Sequence, residues 1–283
     1  MHDLNEVLEQ YKNKLIQLKY SPITISNYCK YFRDFRNTFE KFDLLNVKPE
    51  KIDKYILYLA KKDDISISQQ NQRINAIKFY YVMILGKERQ YSIINRPVEE
   101  NKPPQFFSKD EVKRILESCN NIKHRSILAL LYSAGLRRAE LINLNIADID
   151  SDNMVVKVKG GKGNKDRDSL LSEYTLQLLR KYYKSYKPKV YLFEGAKGNR
   201  YSASSIENIV KKSAKKAGIT KNATPHMFRH SFATHLLEQG KDSRYIQELL
   251  GHTSANTTQI YTHVTNNAIS RISNPIDELF EED

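Results

Sequence analysis

Apolar residues recur at three- and four-residue spacing through most of the first 95 positions, and that period admits little besides packed helices. Leu4, Val7, Leu8, Tyr11, Leu15 and Leu18 line one face of a first helix. Ser21 is placed to cap a second, with Pro22 at its first position, where a missing N–H is harmless. Ile25, Tyr28, Phe32, Phe35 and Phe39 then follow on one face, and we read these aromatics as core rather than as platforms for stacking bases. Ile52, Tyr55, Ile56 and Leu59 mark a third helix, and Ile74, Ile77, Tyr81 and Ile84 a fourth. Residues 1–95 therefore read as a helical bundle.

The period then stops. Asn95 to Pro104 carries three prolines among mostly polar residues, as an extended linker does, and we place the linker at 96–107. Ser108-Lys109-Asp110-Glu111 is a capping box that opens a second domain, 108–272, with Val112, Ile115 and Leu116 turned inward. One segment breaks its helical pattern: the β-branched run Met154 to Val158 leads into Gly160, Gly161 and Gly163, which predicts a hairpin with a tight turn. Helices resume around Tyr174 to Tyr186, Ser204 to Ala217 and from about Pro225. The fold class expected is mainly α: an N-terminal helical bundle plus an α-rich second domain holding a small antiparallel β-hairpin.

Residues 273–283 form a tail. Asn274 can cap, Pro275 can start and Ile276, Leu279 and Phe280 can anchor a short helix, docked either on a neighbouring protomer or on its own domain. From Ile276 to Asp283 there are five acids and no base, which suits protein better than a polyanion. Both halves of the chain are basic, with 17 Lys and Arg against 11 Asp and Glu up to residue 97 and 29 against 22 over 98–283, tail included, for a formal net charge of +13. Such a charge favours a polyanionic partner such as nucleic acid, because each contacted phosphate releases counterions.

Cys29 and Cys119 stand apart from any CxxC pair and read as buried free thiols. No run of eighteen apolar residues occurs, so a membrane is not an expected partner, and a cytoplasmic, reducing location is. His230 follows His226 by four residues, but Met227 stands where a zinc-binding HExxH helix needs its glutamate, so no metal is expected. No Walker loop and no carboxylate cluster for a two-metal mechanism is present in the sequence, and no cofactor is expected.

Five short segments hold the chemistry-bearing residues: Gly135-Leu136-Arg137-Arg138-Ala139-Glu140-Leu141, the turn around Lys162, His226-Met227-Phe228-Arg229-His230, Leu249-Leu250-Gly251-His252 and Ile260-Tyr261-Thr262-His263. Each alone reads as solvated charge or packing. Their order, Arg, Lys, His-x-x-Arg, His, Tyr, with nine residues from His252 to Tyr261, resembles the tyrosine recombinase (phage integrase) family, and within it the Xer-like recombinases. The likeness is densest from Thr224 to Val264 and covers nearly the whole chain. GLRRAELINLNIADID resembles the family's first-arginine segment and VKGGKGNKDR its lysine hairpin.

The resemblance implies a metal- and ATP-independent DNA strand transferase that cuts and rejoins duplex DNA. Tyr261 is then the nucleophile, Arg137 and Arg229 bind the phosphate, and Lys162 protonates the leaving 5′ oxygen. His226 assists proton transfer at the tyrosine, and His252 donates to the phosphate or orients its neighbours. Chemistry agrees with these roles: two permanently charged planar forks suit a phosphoryl transition state, and a phenol with a pKa near 10 needs cations and a base beside it. Lys165 is the rival to Lys162 within the same turn, and the family match favours Lys162. Glu140, one helical turn after Arg137, either orients it or forms an exposed ion pair. The return strand departs from the family pattern at Asp168-Ser169, which leaves its length open.

The family resemblance further implies an N-terminal core-binding domain at 1–95, a 3′-phosphotyrosyl intermediate, a homo-tetramer on DNA carrying a specific recombination site, and a Holliday junction. An accessory translocase or a second recombinase stays open as a partner. Chromosome or plasmid dimer resolution is the expected role. The alternatives are a phage or mobile-element integrase of the same chemistry, a type IB topoisomerase, and a non-catalytic DNA-binding protein.

Overall fold

The computed structural model describes residues 4–98, 105–160, 166–251 and 275–276, and divides the chain into two compact units, Met1–Lys102 and Pro103–Asp283. The first unit holds α1 (Leu4–Gln17), α2 (Pro22–Thr38), α3 (Pro49–Lys62), α4 (Ile67–Phe79) and the short α5 (Glu88–Tyr91). Ser21 caps α2 by accepting from the Thr24 backbone N–H at 3.1 Å, with Pro22 in the first turn as the sequence predicts. Phe32, Phe35, Ile52, Tyr55, Ile56, Leu59, Ile74 and Ile77 are all buried, so the helical spacing marks the core.

Leu18 is the exception: α1 ends at Gln17 and Leu18, in the turn beyond it, is exposed. Beyond Phe79 the helix widens into a π-helical segment, Tyr80–Ile84. It turns Tyr81 inward to stack on Tyr91 with ring centroids 3.8 Å apart, while the two hydroxyls donate to the carbonyls of Leu44 and Val47. Buried phenols thus keep their hydrogen bonds, which is what allows so many tyrosines in one core. Cys29 is half-buried rather than buried, and Cys119 is buried.

The second unit comprises α6 (Lys109–Ser118), α7 (Ile122–Ser133), α8 (Arg138–Asn143), β1 (Ile149–Asp150), β2 (Val155–Val158), β3 (Arg167–Leu170), α9 (Glu173–Tyr186), α10 (Ala203–Lys216), α11 (Pro225–Glu238) and α12 (Ser243–Leu250). The predicted capping box is present at α6: Ser108 Oγ accepts from Glu111 N, and Glu111 Oε2 accepts from Ser108 N. At the centre lies α7, buried from Ser126 to Ser133 and packed against α9 and α11. A helix buried on all sides has no polar face, which is why no amphipathic period announces it.

The three strands form an antiparallel sheet in the order β1-β2-β3. Pairing runs from Val155–Leu170 to Val158–Arg167, so β3 is a full match for β2 despite its polar residues. Ser169 is buried there because its hydroxyl donates to the Ala134 carbonyl at 2.8 Å, and Asp168 faces out. The last pair described is Val158–Arg167, and the tight turn the glycines suggest falls on residues 161–165, outside the described residues. Of the tail, Pro275 and Ile276 are described: both are buried, and Ile276 belongs to the core of the second unit. The predicted tail helix otherwise lies outside the described residues. No helix among those described is long and apolar enough to cross a membrane.

Candidate active site

Arg137 stands at the N-cap of α8 with extended backbone angles, φ −70° and ψ 149°, two residues after Gly135 at φ +55°. Glycine is required at 135 twice over. A Cβ there would take up a disfavoured φ and would lie 2.5 Å from Phe232 Cδ1 and 2.8 Å from Leu250 Cδ2. The sharp turn separates two neighbouring arginines: Arg138 is exposed and pairs with Glu207 of α10, whereas Arg137 turns inward to Glu140.

Glu140 is buried, which removes the exposed-pair alternative for it. Its Oε2 accepts from the Arg137 backbone N–H at 2.7 Å and its Oε1 from Arg137 Nη1 at 2.8 Å. The same carboxylate receives a two-pronged contact from Arg167, with Nη1 to Oε1 and Nη2 to Oε2 both at 2.8 Å, and Arg229 Nη1 lies 3.9 Å away. Three guanidinium groups surround one carboxylate. Burial alone would raise the pKa of Glu140, but the hydrogen bonds and charge of Arg167, then those of Arg137, bring it down to about 2.

That depression has a measurable consequence. The folded value lies below the ordinary 4.5, so ionised Glu140 stabilises the fold fully above that pH and its contribution is lost as pH falls toward about 2. Glu140→Gln should therefore flatten the acid limb of stability, removing a pH-dependent part on the order of 3 kcal/mol. Urea midpoints of the two proteins plotted against pH check this, and parallel curves would contradict it.

Arg229 comes from α11, whose first turn is set by Pro225, and its side chain is 2% exposed. Nη1 donates to Gly135 O at 2.7 Å and Nη2 to Leu250 O at 2.6 Å. Burial and the nearby Arg137 lower its pKa to about 9, which leaves it charged at neutral pH. On the same helix His226 lies at the surface with its ring 4.4 Å from that of His230. Displaced water, then His230, Arg229 and Arg137, lower the His226 pKa, so its imidazole is neutral at pH 7 and able to accept a proton.

The end of α12 completes the described cluster. Its last carbonyls have no helical partner, and three consecutive ones are taken by three arginines: Leu249 O by Arg167 Nε at 2.7 Å, Leu250 O by Arg229, and Gly251 O by Arg137 Nη2 at 3.3 Å. Gly251 ends the helix at φ +61°. Of the six site residues predicted from sequence, Arg137, His226 and Arg229 are thus brought together, and Lys162, His252 and Tyr261 lie outside the described residues. Sequence reasoning missed Arg167, and left Glu140 aside although its spacing after Arg137 is that of an N3 acid reaching back to its cap.

Comparison with known proteins fits this geometry. The model of the phage integrase family matches residues 105–268, and that of the phage integrase N-terminal SAM-like domain matches 7–90. Tyrosine recombinase XerA of Pyrococcus horikoshii is 39% identical over 267 residues, covering 92% of this chain and 90% of that protein. Among solved structures, XerH bound to a palindromic difH substrate is 25% identical with a TM-score of 0.69, over 83% of this chain and 74% of that one. A lambda integrase tetramer bound to a Holliday junction shares the fold at 15% identity and a TM-score of 0.72, over 93% and 80% of the two chains. With the family model matched over residues 105–268, the N-terminal domain model over 7–90 and a Xer recombinase 39% identical over most of both chains, the chain belongs to the phage integrase family and is a tyrosine recombinase of the Xer type, a DNA strand transferase.

Proposed function

We propose that this recombinase cleaves duplex DNA at a specific site by attack of Tyr261 on the scissile phosphate, leaving a 3′-phosphotyrosyl bond and a free 5′-hydroxyl. The observation that carries the reading is the arginine pair: Arg137 and Arg229 converge on one buried carboxylate, and His226 lies near enough for both to lower its pKa. Fixed forks of this kind stabilise the charge that grows on the equatorial phosphate oxygens, at no reorganisation cost during reaction. Neutral His226 takes the tyrosine proton, Lys162 gives one to the departing 5′ oxygen, and His252 donates to the phosphate. The bond broken and the bond formed are both phosphate esters, so the step needs no ATP, and rejoining reverses it.

In this account residues 1–95 grip the duplex as a core-binding domain, 96–107 link it to the catalytic domain at 108–272, and 273–283 contact a neighbouring protomer or the parent domain. The basic excess in both parts suits a DNA clamp. By likeness to the lambda integrase and XerH complexes, four copies act on two sites through a Holliday junction, in the cytoplasm, with dimer resolution as the role and integration as the second reading.

A plasmid carrying two directly repeated sites, selected from random-sequence duplexes by the protein itself, tests this. Excision of the intervening DNA in the presence of EDTA and without ATP is expected. Relaxation of plasmids lacking any such site would favour a topoisomerase instead, and binding with neither outcome a non-catalytic protein.

A further inference from the structure

Arg167 belongs to none of the six positions assigned to the reaction, yet it binds both the acid that holds Arg137 and the end of α12. Its side chain is 8% exposed on β3, an unusual place for a guanidinium unless its donors are used. Two of them clamp Glu140, the acid that holds both the backbone and the fork of Arg137. A third, Nε, takes the Leu249 carbonyl at 2.7 Å, two residues before Gly251 and three before His252. The aliphatic part packs where a Cβ on Gly251 would go, 3.0 Å from Arg167 Cδ, so the helix end closes on the arginine stem. Arg167 is also the first paired residue after the connection that holds Lys162.

We propose that Arg167 is a positioning residue for strand cleavage: one buried guanidinium fixes Glu140, and through it Arg137, to the C-terminal end of α12. A lysine cannot replace it, because one ammonium on a flexible stem cannot span a carboxylate and a carbonyl with fixed forks. A general surface role predicts nothing of the kind, since surface ion pairs contribute little. This inference rests on the recombinase reading above for its kinetic test, and is independent of it for the structural one.

The structural test uses the full-length protein without DNA. In Arg167→Met, amide hydrogen exchange over 246–251 should accelerate about tenfold or more while α7 and the α2 core stay as in the wild type. Unchanged exchange over 246–251 overturns the proposal, and so does acceleration spread evenly over the second unit. The kinetic test uses suicide duplexes bearing the selected site. Cleavage by Arg167→Met should slow by about 100-fold, as for a misplaced reacting group, with duplex affinity within about threefold of wild type. Its cleavage–pH profile should have its acid limb displaced upward, since Glu140 has lost its main cation, and Arg167→Lys should restore that limb without restoring the rate. Adding Glu140→Gln to Arg167→Met should slow cleavage little further, because both act through one contact. Wild-type rate in Arg167→Met, an unmoved acid limb, additive effects, or loss of cleavage only in step with loss of duplex binding would each overturn the role. If the wild type itself cleaves no duplex, the recombinase reading fails, and the exchange measurement still decides the placement of α12.

Discussion

Replacing Arg229 by lysine is expected to slow strand cleavage by about a thousandfold while leaving the protein on its DNA. The side chain is buried and its two terminal nitrogens donate to the carbonyls of Gly135 and Leu250. A lysine could serve one carbonyl at a time, so the other would be left without a donor, at a cost of about 1–3 kcal/mol. Stability should fall by that order, and the fork that meets the phosphate would be lost outright. Because nonspecific affinity comes from many phosphate contacts spread over a basic protein, the salt dependence of binding should barely change. Single-turnover cleavage of a suicide duplex, run beside a gel-shift titration, separates the two effects; near wild-type cleavage in Arg229→Lys would remove Arg229 from the reaction.

The same buried cluster explains where the sequence is and is not readable. Ser21 and Ser108 act through bonds to residues three positions away, and the prolines at 22 and 225 through their own fixed φ, so their effect can be read from neighbours in the chain. Amphipathic α2 and α3 are legible for the same reason: their apolar faces repeat. By contrast, α7 is apolar nearly all round, and its place at the centre follows from α9 and α11 packing on it, which no local pattern records. Tyr81 and Tyr91 meet because a π-helical segment shifts one of them, again a tertiary event.

At the site, Arg137 and Arg229 are recognisable because family motifs mark them, not because their surroundings are predictable. An arginine in a lysine-rich segment reads as solvated charge, and Arg167 looks the same on paper as Arg138. What separates them is distance in space: Arg167 faces a buried acid and a helix end contributed by residues 27 and 82 positions away, whereas Arg138 pairs with Glu207 in solvent. The polar return strand has a similar explanation, since Ser169 answers the Ala134 carbonyl beneath it. Had the N3 acid rule been applied to Arg137-Arg138-Ala139-Glu140, the Glu140 contact to the Arg137 N–H would have been found from sequence.

The second large effect concerns the nucleophile. A phenylalanine at 261 keeps the size and shape of the ring but removes the oxygen that the proposed attack needs, so under that proposal no compensation by Arg137, Arg229 or Lys162 can rescue it. Tyr261→Phe should bind its duplex as well as the wild type and form no adduct above background. Partial activity has no route in this chemistry, which makes the contrast all or none.

The central claim is therefore tested most directly by incubating wild type and Tyr261→Phe with end-labelled suicide duplexes bearing the selected site, and resolving the products on a denaturing gel. The account predicts a covalent adduct with the wild type, linked through the 3′ phosphate and leaving a 5′-hydroxyl, and none with Tyr261→Phe; an adduct that persists in Tyr261→Phe, or one joined through a 5′ phosphate, would contradict it.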